Sequence, residues 1–259
     1  MAEIERPLTP PPMTLLDGAT LFLDFDGTLV PLTDEPDSVV VDNELRVLLA
    51  DLAEALSGRL AIVSGRSVET LRDRFGLGGF ILSGSHGLEF AHPGEPTRAP
   101  TRQHEVDIAE AELEAFIADK PGLRVERKTL SVGLHFRKAP GFADACRTIA
   151  EALAQETGLY LQAGKMVYEL RPGGADKGTA IRLLMQELPL STGLPLFFGD
   201  DVTDEDGFAA AAGLGGNGVL VGPDRRTDAQ WHLEHVDAVR HYLSTSVAHL
   251  CGKVALTSS

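Results

Sequence analysis

Residues Leu21 to Leu29 read Leu-Phe-Leu-Asp-Phe-Asp-Gly-Thr-Leu, an apolar run closing on two aspartates one residue apart. Such a run reads as a buried strand that delivers Asp24 and Asp26 to the carboxyl edge of a sheet, where open α/β folds place ligands. Gly27 lets the chain turn sharply away. Strand alternation predicts both carboxylates on the same side, where two like charges repel unless a cation or a shared proton compensates them. The pattern points to a divalent metal, a protonation asymmetry or both, which are the requirements of phosphoryl chemistry. The plain alternative is an ordinary strand stopped by an Asp-Gly turn.

Three further segments complete a set, in chain order. Leu60 to Val63 is a second short apolar run, ending in the polar turn Ser64-Gly65-Arg66-Ser67 before a helical segment. The Ser64 hydroxyl can donate to a phosphate oxygen. Asp176-Lys177-Gly178 opens a stretch with Ile181, Leu184, Met185 and Leu188 at helical spacing. Lys177 at that start joins a cation to free backbone N–H groups, which suits an anion. Leu196-Phe197-Phe198-Gly199 is a third strand-like run, ending in the acidic cluster Asp200-Asp201-Val202-Thr203-Asp204-Glu205-Asp206. Singly, Ser64 reads as a turn residue, Lys177 as a solvated charge and the acidic run as a helix start favoured by the macrodipole. Their order along the chain ties them to Asp24 and Asp26.

The remaining pattern divides the chain. Asn43 to Leu56 puts Leu45, Leu48, Leu49, Leu52 and Leu56 on one helical face between the first two strands, a βαβ unit. Phe80-Ile81-Leu82 reads as a strand, Asp206 to Ala212 as a short helix, Gly218 to Val221 as a last core strand, and Val236 to Leu243 as part of a closing helix. Between these lies different logic: a helix over His104 to Lys120, a hairpin of Leu123 to Lys128 and Ser131 to Arg137, a helix over Gly141 to Thr157, and a hairpin of Leu159 to Gln162 and Met166 to Leu170. Helix, hairpin, helix, hairpin is α+β. The expected fold is therefore α/β, a Rossmann-like parallel-sheet core (1–92 and 172–259) with an inserted α+β cap domain (93–171). Breakers at Pro93 to Pro100 and Arg171-Pro172-Gly173-Gly174 mark the connectors.

A net charge of −15 argues against nucleic acid or an anionic membrane surface as a partner. An anionic substrate must then be held by local cations and a metal, against the global field. Cys146 and Cys251 are too few for a disulfide framework or zinc site. The Thr-Pro-Pro-Pro start lacks a basic and apolar leader and no apolar run reaches membrane-spanning length, so a cytoplasmic location is expected.

The four segments resemble the motifs of the haloacid dehalogenase superfamily, with Asp24-Phe25-Asp26-Gly27-Thr28, Ser64, Lys177 and Gly199-Asp200-Asp201 at the matching positions. The residue types suit that chemistry. Asp24 can attack phosphorus and form an aspartyl-phosphate, and Asp26 can serve the leaving oxygen and the incoming water as general acid and base. Mg2+ needs few protein oxygens: the Asp24 carboxylate, the Asp26 main-chain carbonyl and Asp200. Asp204 reads as a water-mediated or supporting partner and Asp201 as an alternative ligand. Ser64, Lys177 and backbone N–H groups near Gly27 would hold phosphoryl oxygens, with Thr28 counted among the catalytic residues and Arg66 among those that bind substrate.

Lys165 and Glu169, and Glu126 and Lys128, differ by even numbers, so mixed charges share strand faces as a surface reading sugar hydroxyls would need. Together with Gly84-Ser85-His86-Gly87-Leu88-Glu89, Ser131-Val132-Gly133-Leu134-His135-Phe136-Arg137 and Glu169-Leu170-Arg171-Pro172, the sequence is similar to the trehalose-6-phosphate phosphatase family. The resemblance implies Mg2+-dependent hydrolysis of trehalose 6-phosphate, the last step of trehalose biosynthesis, and a functional link to the synthase that makes the substrate. It implies that Glu126, Lys128, Arg137, Lys165 and Glu169 contact the sugar and that His86 lies near the site. Alternatives are a phosphatase for sucrose phosphate or a mannosyl-glycerate phosphate, a phosphomutase, or a silent regulatory module.

Overall fold

A computed structural model describes residues 8–33, 38–164 and 166–257. Lys165 lies outside the described residues. In chain order the elements are β1 (Ala19–Leu23), α1 (Asn43–Ala55), β2 (Leu60–Val63), β3 (Ile81–Gly84), β4 (Glu89–Ala91), α2 (His104–Ile117), β5 (Arg124–Arg127), β6 (Val132–His135), α3 (Ala143–Thr157), β7 (Tyr160–Gly164) and β8 (Val167–Arg171). They continue with α4 (Lys177–Leu184), β9 (Leu194–Gly199), α5 (Glu205–Gly213), β10 (Asn217–Val221), β11 (Trp231–Leu233) and α6 (Val236–Thr257). Two compact units result, Met1–Arg98 with Asp176–Ser259, and Ala99–Ala175.

The first unit is a seven-stranded sheet in the order β11-β10-β9-β1-β2-β3-β4. All pairings are parallel except β3 with β4. The central strands β1 and β2 are buried at every position because both faces are covered. Leu21, Leu23, Ile62 and Phe198 pack with Leu45, Leu49 and Leu52 of α1 and Val239 and Leu243 of α6. The intervening Phe22, Ala61, Val63 and Phe197 pack on the other side with Ile181 and Leu184 of α4 and Phe208 of α5. Each such buried side chain contributes roughly 1.5–3 kcal/mol. Asp42 caps α1, accepting from the Leu45 N–H at 2.7 Å, and its other oxygen accepts from Arg240 of α6 at 2.7 Å. One carboxylate thus starts one helix and ties it to the next.

The helical segment expected after Ser64 forms, with π geometry at Thr70–Arg74. Two expectations need correction here. Gly218–Val221 is not the last strand, since the short β11 pairs parallel with β10. The units divide after Arg98 and Ala175 rather than at the expected limits of the 93–171 insertion. Arg98 stays with the first unit because it bridges to Phe90 and its guanidinium grips Glu187 in two bonds. Arg171 keeps the following connector with the second unit by donating to the carbonyls of Pro172 and Ala175.

The second unit is a four-stranded antiparallel sheet ordered β5-β6-β8-β7. Alternation makes one face apolar: Val132, Leu134 and Leu170 pack against Val106, Ala109 and Leu113 of α2 and Cys146 and Leu153 of α3. Cys146 is a small core residue here, as its apolar surroundings in the sequence suggest. The other face is polar.

Candidate active site

Four adjacent strands end at the same edge of the first sheet and release the candidate residues there. β1 ends before Asp24, β2 before Ser64, β3 before Ser85 and His86, and β9 before Asp200. β1 lies between β9 and β2, at the carboxyl ends of the parallel strands, where open sheets bind ligands.

The centre is a buried ion cluster. Lys177 Nζ donates to Asp24 Oδ1 and to Asp204 Oδ1, each at 2.6 Å. The other oxygen of Asp204 accepts from the N–H groups of Asp200 and Asp201 at 2.9 Å each. Lys177 arrives at this point because Asp176 and Thr179 form a capping box that fixes the first turn of α4. Gly178 allows the approach, since a Cβ there would meet the Asp206 carbonyl at 2.2 Å. Burial works against the charge on Lys177, but the carboxylates of Asp204 and Asp24 outweigh it and hold the ammonium above its ordinary pKa. Burial pushes the Asp24 carboxyl well above the usual range against the pull of Lys177, and Asp204 and Asp200 push the same way. Asp200 is pushed up to about 7, by burial first and then by Asp204.

Oxygens of Asp24, Asp200 and Asp204 lie within 4.8 Å of one another. Three carboxylates facing one ammonium leave the cluster short of positive charge, and an all-oxygen donor set suits a hard cation such as Mg2+. Asp204 already spends both oxygens on Lys177 and backbone, so Asp24 and Asp200 are the better placed direct ligands. Asp201 is exposed, accepts from the Val202 N–H at 2.6 Å, and is not brought into the cluster.

β1 ends at Leu23, just before both aspartates, and Asp26 pairs with Arg66. Arg66 grips it in two bonds, Nε to Oδ2 at 2.6 Å and Nη2 to Oδ1 at 2.7 Å. The guanidinium rests over the rings of Phe75 and Phe25 at 5.1 and 5.7 Å, which fixes its plane. Gly27 is required twice over: its φ is +84°, and a Cβ would meet Asp200 Oδ2 at 2.0 Å. Its N–H is committed to the Val30 carbonyl at 2.8 Å, so Gly27 acts by making room rather than by offering that donor. Ser64 is buried and its Oγ accepts from the Arg66 N–H at 3.1 Å, leaving the hydroxyl proton to donate elsewhere. Thr28 Oγ1 is buried with no hydrogen-bond partner among the described residues.

His86 sits against this loop. A Cβ on Gly65 would meet the His86 ring at 2.6 Å, and the N–H groups of Ser85 and His86 bond to the carbonyls of Arg66 and Ser64 at 2.8 and 3.1 Å. Ser85 and His86 have φ of 49° and 55°, a strained pair for residues with side chains. Glu89, which carried no role in the sequence reading, helps hold the turn: it is buried and accepts from the Val68 N–H at 2.6 Å. Burial raises its pKa, against the hydrogen bonds from Val68 and Ser85.

The polar face of the second sheet gathers the other candidates. The register places Glu126, Gly133, Glu169 and Gln162 in one row across its four strands. Lys128 Nζ and Ser131 Oγ donate to the two oxygens of Glu169 at 2.5 and 2.6 Å. His135 Nε2 lies 2.6 Å from Glu126 Oε2. Hydrogen bonding to His135 holds the Glu126 carboxyl below its ordinary pKa, against burial. Arg137 follows β6 and is half-buried. Ser131, His135 and Gln162 were not assigned roles from the sequence, although Ser131, Gly133 and His135 alternate with Val132, Leu134 and Phe136. That period of two was the available signal.

The parallel sheet that carries Asp24, Ser64 and Asp200 at adjacent strand ends, with Lys177 at the start of α4, shares its fold with a haloacid dehalogenase-like hydrolase from Bacteroides thetaiotaomicron, at a TM-score of 0.66 and 15% identity. The sequence profile of the trehalose-phosphatase family matches residues 22–237, and the chain belongs to that family of hydrolases. Trehalose-6-phosphate phosphatase of Escherichia coli (strain K12) is 39% identical over 230 residues, covering 86% of this chain and 84% of its own. A probable trehalose-phosphate phosphatase of Sinorhizobium fredii is 35% identical over 217 residues, covering 81% and 80%. A solved structure described as a trehalose-6-phosphate phosphatase related protein matches with a TM-score of 0.77 at 30% identity, covering 90% of this chain and 99% of that one.

Proposed function

We propose that this chain hydrolyses trehalose 6-phosphate to trehalose and phosphate through an aspartyl-phosphate on Asp24, with Mg2+ as cofactor. The observation that carries the reading is the buried Lys177 ammonium bridging Asp24 and Asp204 beside Asp200, at strand ends in a chain of the trehalose-phosphatase family. Asp24 Oδ1 is fixed by Lys177, which leaves its other oxygen to attack phosphorus. Lys177 and the Ser64 hydroxyl are the donors for phosphoryl oxygens, where positioning and charge stabilisation dominate the rate. Asp26 serves as general acid and base; both its oxygens are held by Arg66, so it must exchange a guanidinium contact for the leaving oxygen before passing a proton. Mg2+ would be held by Asp24, Asp200 and the Asp26 main-chain carbonyl, and would supply charge against that developing on the transferred group.

We assign reading of the sugar to the inserted unit, through Glu126, Lys128, Arg137 and Glu169, with Lys165 assigned by resemblance alone. The Glu126 and Glu169 carboxylates are acceptors for hydroxyls, and Lys128 is a donor. No described helix is long and apolar enough to cross a membrane; a cytoplasmic setting and a link to the synthase remain part of the proposal. Phosphate release should be measured from trehalose 6-phosphate, sucrose phosphate, mannosyl-glycerate phosphate and a small aryl phosphate, each with and without Mg2+. Trehalose 6-phosphate should be the best substrate and chelation should abolish its turnover. A better rate on another sugar phosphate, or full activity after exhaustive chelation, would overturn the reading.

A further inference from the structure

Gly133 is out of place. It lies in β6, an interior strand of the second sheet, where glycine weakens a strand and has no side chain to pack. Such a glycine marks either a bulge or the close approach of a ligand or another backbone. The register on both sides is unbroken, with Glu126 opposite Gly133 on one strand and Glu169 opposite it on the other, so there is no bulge. Backbone conformation does not demand glycine either, since Gly133 is not among the residues with positive φ. Nor does crowding: a Cβ at this position would find His135 Nε2 at 3.5 Å, Val167 Cγ2 at 3.6 Å and Glu126 Oε2 at 3.8 Å, ordinary van der Waals contacts. Neither the fold nor the packing accounts for the missing side chain.

Two carboxylates flank the gap across the sheet. On one side stands Glu126, held by His135 at 2.6 Å; on the other stands Glu169, held by Lys128 at 2.5 Å and Ser131 at 2.6 Å. Each carboxylate is aimed by a neighbour on its own sheet face, and the bare backbone lies between them.

We propose that Gly133 is a specificity-determining residue, seating a hydroxyl-bearing ring of the substrate between Glu126 and Glu169, and that His135 is the positioning residue that aims Glu126. This rests on the sugar-reading role given to the inserted unit and adds two residues to it. The ring's C–H groups would approach the bare backbone while vicinal hydroxyls donate to the carboxylates. A side chain at 133 would lift the ring off both acceptors together.

The test uses the full chain and four variants: Gly133→Val, Gly133→Ala, His135→Ala and His135→Gln. The readouts are KM and kcat for trehalose 6-phosphate and for a small aryl phosphate, with calorimetric binding of trehalose as a measure independent of turnover. Gly133→Val should raise KM for trehalose 6-phosphate by about tenfold or more relative to the aryl phosphate and weaken trehalose binding in step. Gly133→Ala should do the same to a lesser degree, and it decides the matter if the valine variant fails to fold. His135→Ala should raise KM more than it lowers kcat, and His135→Gln, which can still donate to Glu126, should recover part of the loss. Unchanged selectivity in the folded Gly133 variants would overturn the proposal. Glu169→Ala, measured in parallel, tells whether the sugar-reading role falls with it or stands without it.

Discussion

The candidate sites of the two units shift carboxyls in opposite directions, Asp24 and Asp200 upward and Glu126 downward. In the first, Asp24 and Asp200 are raised by burial and then by the charge of Asp204, with Lys177 the only ammonium in the buried cluster described here. In the second, Glu126 is lowered by its hydrogen bond to His135, and Glu169 is met by Lys128 and Ser131. A group of like charges that resist ionising together is prepared to take up a cation and to have its reactivity changed by it. Acceptors already aimed by neighbouring donors are prepared for hydroxyl groups. On the proposed function, the difference separates chemistry from recognition by residue environment, although both regions use the same residue types.

The largest effect expected of any change in the first region is on turnover. Asp24→Asn should lower kcat on every phosphate ester by on the order of 10⁴-fold or more, because an amide is a poor nucleophile and loses its pairing with Lys177. Phosphate release in a single-turnover assay checks this, and near-normal rates would remove the covalent route. Next comes a matched pair of substitutions. Lys177→Met strands Asp24 and Asp204 in the interior and should destabilise the fold by about 3–5 kcal/mol. Lys128→Met removes a donor from Glu169 while Ser131 remains, and should lose about 1–2 kcal/mol. Denaturant midpoints that fall equally for both would erase the contrast drawn between the regions.

Metal and pH probe the same contrast at smaller scale. Mg2+ at about 100 times its dissociation constant should stabilise the protein by roughly 2.7 kcal/mol. The sign of its pH dependence follows from Asp200, whose folded pKa of about 7 lies above its ordinary value. A carboxyl raised on folding binds its proton more tightly in the native state, so the metal-free protein loses stability as pH rises through that range. The Mg2+-induced rise in melting temperature should therefore be larger at pH 8 than at pH 5. Glu126 has the reverse sign: its lowered pKa contributes stability that is present above the unfolded value and lost as pH falls through the folded one. Glu126→Gln should flatten only that acid limb, by under about 1 kcal/mol given the partial exposure. Thermal melts from pH 3 to 6 would show it.

Much of this was legible in the sequence because it is written locally. Unbroken apolar runs mark β1, β2 and β9, the leucine spacing marks α1, and alternation marks both hairpins of the inserted unit. Part of what escaped depends on partners far along the chain. Arg66 meets Asp26 across forty positions, and no local pattern says that the two will pair. Asp201 is taken by the Val202 N–H, a short-range competitor for any ligand role. β11 is three residues long and lies in a polar segment, so only its neighbour β10 makes it a strand. Gly133 was visible in the sequence but silent, since its meaning depends on the register that sets it between Glu126 and Glu169.

The division of labour between the units meets its most direct test in a single comparison. Wild type and Glu169→Ala should be assayed for kcat/KM on trehalose 6-phosphate and on a small aryl phosphate under the same Mg2+ concentration. Removing a charged hydrogen-bond partner typically loses about 1.5–3 kcal/mol. The value for trehalose 6-phosphate should accordingly fall about 10- to 100-fold further than that for the aryl phosphate. Equal losses on the two substrates would mean that Glu169 supports the enzyme without reading the sugar, and the separation of chemistry from recognition would be contradicted.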